Sequence, residues 1–179
     1  MRASLLSSIL AAIASLASAG YGSPLLGQGV VHRQAEEGVI RAFDGISEPT
    51  NVSIIAGGSS FSFLYEAANS CFNGYSPFNV WLVPGPNPPT GDSLNSTAEF
   101  SPGDYLAYFG SYVVSTFNFP PLPEPTGPPP ATLTMPVLDP SFVGETVYIA
   151  VVETLIGCYP DRNDEYGLSS VGVTYTDSD

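Results

Sequence analysis

The sequence predicts an all-β fold, an immunoglobulin- or fibronectin-III-like antiparallel β-sandwich of about seven strands. Three observations carry this. Phe61, Phe63 and Tyr65 recur at every second position of SSFSFLYEA, the spacing of a half-buried strand. Short β-branched and aromatic runs alternate with Gly- and Pro-rich turns along the chain. Outside the first twenty residues, no segment combines helical spacing with caps over several turns.

The strands follow in order. SSFSFLYEA sets Phe61, Phe63 and Tyr65 on one face, with Ser60, Ser62 and Leu64 on the other. PFNVWLVPG is a second run, ended by Pro84-Gly85, and its Trp81 is the candidate core tryptophan. YLAYFGSYVVSTF is a third, in which Gly110 marks a bend or bulge. ATLTMP is a short strand. ETVYIAVVETLIG is almost continuously apolar, as a central strand covered on both faces requires. YGLSSVGVTYTD is the last strand.

Residues 1–19 read as a cleaved secretory signal: Arg2 gives a positive start, Leu5 to Leu16 a short apolar core, and Ala17-Ser18-Ala19 a small-x-small cleavage site. Residues 20–38 show no sustained period and predict a mobile N-terminal arm, which holds the only histidine, His32. Residues 39–179 then form a single domain. Its proline-rich tract 118–136 holds eight prolines. The tract lies between Cys71 and Cys158, so it is expected to be an internal loop that straps one strand to the next. The polar ending TYTDSD lacks the hydrophobic tail of a lipid-anchor signal, so the expected product is secreted, extracellular and monomeric, without a membrane anchor.

In an oxidising compartment Cys71 and Cys158 have one pairing open to them. Closing so long a loop stabilises by roughly 4–5 kcal/mol at most. In an immunoglobulin-like strand order the two cysteines fall in connections at the same end of the sandwich. Asn51-Val52-Ser53 and Asn95-Ser96-Thr97 fit the N-glycosylation pattern and require exposed positions.

The chain has no lysine, and its formal net charge is −13. Nucleic acid and anionic membrane surfaces need basic patches and are not expected partners. A single histidine in an arm excludes triad chemistry, the two cysteines cannot supply a zinc cluster, and no lysine means no phosphate-cradling loop. No cofactor, metal or catalytic residue is therefore predicted.

Carboxylates remain. Glu66, Glu99, Asp104 and Glu153 are the candidates for a glycoside-hydrolase pair. Glu153 stands in an apolar run, where a buried carboxylate would titrate high, but it is expected to point outward at the strand's end. Asp161, Asn163, Asp164 and Glu165 cluster oxygen ligands, yet the spacing departs from a calcium loop and is expected to be a solvated hairpin tip. Tyr105, Tyr108, Tyr112, Tyr159 and Tyr166 are the candidate ligand-facing aromatics, because flat exposed rings stack on pyranose faces.

The run ISEPTNVSIIAGGSSFSFLY resembles the start of a group of small secreted fungal proteins. The matching positions are Ile46, Pro49, Ile55, Gly58, Phe61, Phe63 and Tyr65. The likeness extends through Asn79–Leu82, Tyr108–Gly110, the proline tract, Leu133–Pro136 and Tyr148–Glu153. It carries over no activity and no site residues. The Ile-x-x-Pro and Gly-x-x-Phe-x-Phe region alone also resembles the N-terminal β-sandwich of fungal cell-wall glucan-assembly proteins. Those proteins are often Ser/Thr-rich and lipid-anchored at the C-terminus, features this chain lacks.

Three functional expectations follow. The first is a non-catalytic extracellular module for cell-wall or surface polysaccharide. The second is a secreted protein-interaction factor or effector. The third is a carboxylate-dependent hydrolase.

Overall fold

The structure is a computed structural model. It describes residues 40–42, 45–68, 74–123, 127–155 and 165–177, all within one unit spanning Arg33–Asp179. The expected signal segment and arm, Cys71, Cys158, Tyr159 and residues 161–164 lie outside the described residues.

Ten strand segments are described: β1 (Ile40–Ala42), β2 (Ile46–Glu48), β3 (Ser53–Ala56), β4 (Ser60–Ser62), β5 (Leu64–Tyr65), β6 (Tyr75–Pro84), β7 (Ala107–Ser115), β8 (Thr132–Thr134), β9 (Thr146–Leu155) and β10 (Glu165–Thr176). The larger sheet runs β1-β10-β9-β6-β7, with β3 also on β10. A second layer is built from β2 on β5 and β4 on β8. Only Phe63 separates β4 from β5, and its N–H donates to the Ala131 carbonyl at 2.9 Å.

The alternation read in SSFSFLY sets the packing. Phe61, Phe63 and Tyr65 are buried, while Ser60, Ser62 and Leu64 are exposed. From the second layer, Phe61, Phe63, Tyr65, Leu133 and Met135 meet Phe78, Val80, Leu82, Val147, Ile149, Val151, Val173 and Tyr175 of the larger sheet. This is the all-β sandwich the sequence predicts. It differs from a plain seven-stranded antiparallel sandwich in one place. The stretch from Ile40 to Ala56 divides between the layers: β2 pairs antiparallel with β5, whereas β1 and β3 pair parallel with β10. The Val52 N–H donates to Gly172 O at 2.8 Å where the chain changes layer. The larger sheet is therefore mixed.

Gly110 stands at a bulge, with a φ of 141° that disfavours side chains. Val80 pairs with Gly110 while the next residue, Trp81, pairs with Tyr108, so Phe109 is the extra residue. Phe109 turns to the core, where its ring meets Phe61 edge-on with centroids 6.1 Å apart.

The proline tract leaves β7 and returns as β8. Val113 N–H donates to Gly127 O at 3.0 Å and the Tyr75 hydroxyl donates to Pro120 O at 3.2 Å. Gly127 therefore lies on the outer edge of β7, while β9 and β10, which follow the tract in sequence, share a sheet with β6 and β7, which precede it.

Phe63 is buried at the junction of β4 and β5, where nothing small can replace it without a cavity. Phe63→Ala should lower the unfolding free energy by about 3–5 kcal/mol, read as a fall in the urea midpoint at unchanged slope.

Candidate functional site

The larger sheet is buried on both faces in its centre. Along β6, Phe78, Val80 and Leu82 face the second layer, so Trp81 and Val83 face outward. Along β9 and β10, Ala150, Val152 and Leu168 face outward with them. The 85–106 connection covers these residues with Ala98 and Phe100, helped by Leu94 and Tyr105. It is fastened at both ends. The Tyr148 hydroxyl donates to Pro86 O at 3.1 Å, and Leu106 N–H donates to Leu82 O at 2.7 Å. Within it, Thr90 N–H donates to Ser93 Oγ, and Asn95 Oδ1 accepts from Thr97 N–H, the Thr97 hydroxyl and Glu99 N–H at 2.8–3.0 Å. Short polar side chains bonding their own backbone hold such a connection without regular structure.

Trp81 is the centre of an aromatic cluster: its ring lies 4.3 Å from Tyr108, 4.7 Å from Tyr105 and 5.9 Å from Phe100, centroid to centroid. It is 7 % exposed, and its Nε1 is buried with no acceptor among the described residues. Tyr108 is 46 % exposed, and its hydroxyl donates to Asn79 Oδ1 at 2.9 Å. Partial burial pushes that hydroxyl's pKa up, Ser111 opposes the shift by hydrogen bonding, and the negative charge of Glu99 adds to it. Beside the cluster lies an open groove of about 580 Å³, lined by Val83, Phe100, Asn87, Thr90, Asp92 and Asp104 among others.

The candidate tyrosines divide. Tyr108 is exposed at the cluster, Tyr105 is half-buried against Trp81, and Tyr166 is half-buried on the same outer face. Tyr112 does not face a ligand. Its ring packs towards the core, 5.9 Å from Phe78, and its hydroxyl donates to Phe109 O at 2.9 Å. The bulge explains the difference: one extra residue between Tyr108 and Tyr112 turns them to opposite faces. Trp81 is a core residue, but of the outer cluster and not of the space between the layers. Asn51 and Asn95 are both exposed. Asp92 and Asn79 were not distinguished by sequence; their role depends on how a loop folds back on a sheet.

The carboxylates also divide. Glu66, Glu99 and Asp104 are exposed. Glu153 does not point outward; it is 0 % exposed and faces the second layer. The sheet places it between Phe78 of β6 and Gly167 of β10, both inward positions. Its Oε2 accepts from the Tyr65 hydroxyl at 2.6 Å and from Ala68 N–H at 2.9 Å, and its Oε1 has no partner among the described residues. Glu165, expected at a solvated tip, is instead buried at the start of β10. Nearby, Ser169 Oγ accepts from Gly45 N–H at 3.0 Å and Ile46 N–H at 3.3 Å. Among the described residues no three ligating side chains gather as a metal site, and no helix is long and apolar enough to cross a membrane.

Burial holds the Tyr65 hydroxyl far above its ordinary pKa, and the negative charge of Glu153 and the bond to it add to the effect. An unfolded tyrosine ionises near pH ~10. The folded state disfavours the tyrosinate, so this contribution to stability is fully present below about pH 10 and is lost as pH rises beyond it. Tyr65→Phe should cost about 1–3 kcal/mol at neutral pH, by leaving Glu153 short of a donor. It should also flatten the alkaline fall in stability, followed by denaturant unfolding between about pH 8 and 11.

No protein-family model, curated protein or solved structure matches the chain.

Proposed function

We propose that this protein is a secreted, non-catalytic module that binds polysaccharide at a cell wall or other surface. The observation that carries the reading is Tyr108, a ring 46 % exposed and braced by Trp81. An aromatic face on a rigid sheet is a surface on which a pyranose can stack, and Asn79 sets the ring's orientation through its hydroxyl. Export is read from residues 1–19.

The topology supports the Cys71–Cys158 pairing. Phe78 of β6 is opposite Glu153 of β9, so the start of β6 and the end of β9 lie at one pole. Cys71 is four residues before the first of these ends and Cys158 three residues after the second. The order β7-β6-β9-β10 opposite β2, β5, β4 and β8 likewise supports the immunoglobulin-type reading. The exposure of Asn51 and Asn95 suits their glycosylation. Burial of Glu153 between the layers favours a structural role over a hydrolytic one.

A second reading, a secreted protein-interaction factor or effector, is favoured by Phe117, just before the proline tract, and Phe119, within it, which are 52 % and 49 % exposed. Cross-linking in culture fluid that captures a specific protein, and loses it in Phe117→Ser/Phe119→Ser, would favour it over the first.

The polysaccharide reading is tested by retention on insoluble glucans and chitins and by a glycan array. Retention is expected, and Tyr108→Ala should weaken it at least tenfold, or about 1.4 kcal/mol. Absence of retention on every polysaccharide removes the reading.

A further inference from the structure

The 85–106 connection reaches Tyr148 of β9, whose hydroxyl bonds Pro86. Beyond Tyr148 the outer face of the larger sheet continues across β10 to β3. Ile55 belongs to the core between the layers, so Ile54 points outward. It pairs with Thr174, which in turn pairs with Thr146. Ile54 is 72 % exposed and Val52, in the turn before it, 78 %. They are the two most exposed large apolar side chains among the described residues. Among the described strands β3 pairs only with β10, so its other side is a sheet edge. An open edge with exposed apolar groups invites a further strand, and folded chains cover or blunt such edges.

The sequon Asn51-Val52-Ser53 occupies this margin. Thr50 to Ser53 form a tight turn: the Ser53 N–H donates to Thr50 O at 3.2 Å, and the Ser53 hydroxyl donates to the same oxygen at 2.7 Å. Val52 takes a φ of 63°, a conformation that disfavours a β-branched residue, and its N–H fastens the turn to Gly172 O. Gly172 pairs with Tyr148 and stands between Val171 and Val173, which face the core, so it belongs to the outer face. A Cβ there would stand 3.2 Å from Asn51 Oδ1 and 3.1 Å from the Tyr148 ring. The exposed Asn51 amide therefore lies on the outer face, over a bare glycine, at the margin where β3 begins. Asn95 offers a contrast. Its Oδ1 already accepts three hydrogen bonds, and no large apolar side chain of its connection is exposed.

We infer that Asn51 carries an N-linked glycan whose first sugars lie over Ile54 and the free edge of β3, so that the modification supplies cover the polypeptide does not. The inference rests on the export part of the proposed function. The bond forms between Asn51 Nδ2 and C1 of an N-acetylglucosamine, transferred from a polyprenyl-diphosphate-linked oligosaccharide. The C1–O bond to the diphosphate breaks, Nδ2 gives up one proton, and the lipid diphosphate leaves with the electron pair. Nothing is oxidised or reduced. Asn51 keeps its carbonyl oxygen, and with it the position over Gly172. The attached sugars are bulky and solubilising. They present no ladder of backbone groups, so a further strand cannot add to β3.

The experiment uses the full chain secreted from a host that N-glycosylates. Peptide mass mapping should find Asn51 occupied. Sedimentation then compares this chain with Asn51→Gln, which should self-associate at about tenfold lower concentration and bind more of an apolar dye. Ile54→Thr added to Asn51→Gln should return both readings to those of the glycosylated chain. Circular dichroism establishes that each variant is folded. Where Asn51→Gln does not fold, enzymatic removal of the glycan from the folded chain gives the same comparison. Export of a chain bare at Asn51 overturns the inference and leaves the functional reading standing. So does a glycan-free chain that associates and binds dye no more than the glycosylated one. Association that Ile54→Thr does not relieve overturns the place assigned to the glycan. A chain retained in the cytosol with residues 1–19 uncleaved overturns export, and the inference with it.

Discussion

Two central strands, β6 and β9, are apolar on both faces, and each face needs cover. Phe78, Val80, Leu82, Val147, Ile149 and Val151 require one layer, and Trp81, Val83, Ala150 and Val152 require another. At about 25 cal/mol per Å² of apolar surface, an uncovered sheet face would forfeit many kcal/mol, comparable with a domain's whole stability. The second layer of short strands covers the first set. No further sheet is available for the other, and the 85–106 connection takes that place. The candidate site follows from this economy of means. A connection that must lie across a sheet leaves a groove where its polar turns depart from the apolar surface, and it leaves Tyr108 at the margin, where cover ends.

Glu153 belongs to the same problem, at the end of the sandwich. The inner row of β9 would place a carboxylate among core residues, at a cost of several kcal/mol if it had no partners. Tyr65 and the backbone of Ala68 supply them from the opposite layer. The bond thus ties the two layers by a polar group. Because a hydrogen bond needs a particular geometry, it specifies where Tyr65 and the chain leading to position 68 stand relative to β9. Ser169 does comparable work for Gly45 and Ile46. Three strands' ends are therefore positioned by buried polar contacts near the pole from which the cysteine-bearing connections depart.

Much of this was legible from periodicity. The alternation of Phe61, Phe63 and Tyr65 declared a one-sided strand, and the almost continuously apolar run of β9 declared a two-sided one. What periodicity could not report was the partner of each face. Glu153 was expected outward because a carboxylate in a strand is usually solvated; its burial depends on Tyr65, eighty-eight residues away in sequence. Tyr108 and Tyr112 have the same parity and were read as equivalent. A bulge one residue wide separates them, and Gly110 marked its position without revealing which neighbour would turn inward. The parallel pairings of β1 and β3 with β10 were invisible because short segments carry too little pattern to choose between two sheets. Asp92 was unremarkable for a similar reason: only the fold of an irregular connection brings it to the groove.

The proline tract shows how one sequence feature can have opposite readings until topology decides. Proline and glycine in such density usually mark a boundary between domains. Here the chain before the tract ends at the margin of the larger sheet, and the chain after it begins in the second layer. An edge strand such as β7 exposes donors and acceptors to any other extended chain. A segment passing from one layer to the other must cross that edge, and a proline-rich segment does so without offering a ladder of its own N–H groups to a further strand. Val113 obtains an acceptor from Gly127, the one glycine of the tract, which is buried. Pro128, Pro129 and Pro130, which follow Gly127, are restricted in φ by their rings, so less backbone entropy is lost in holding the crossing. Covering the edge and changing the layer are thus a single task, and the composition that suggests a linker is what the task requires.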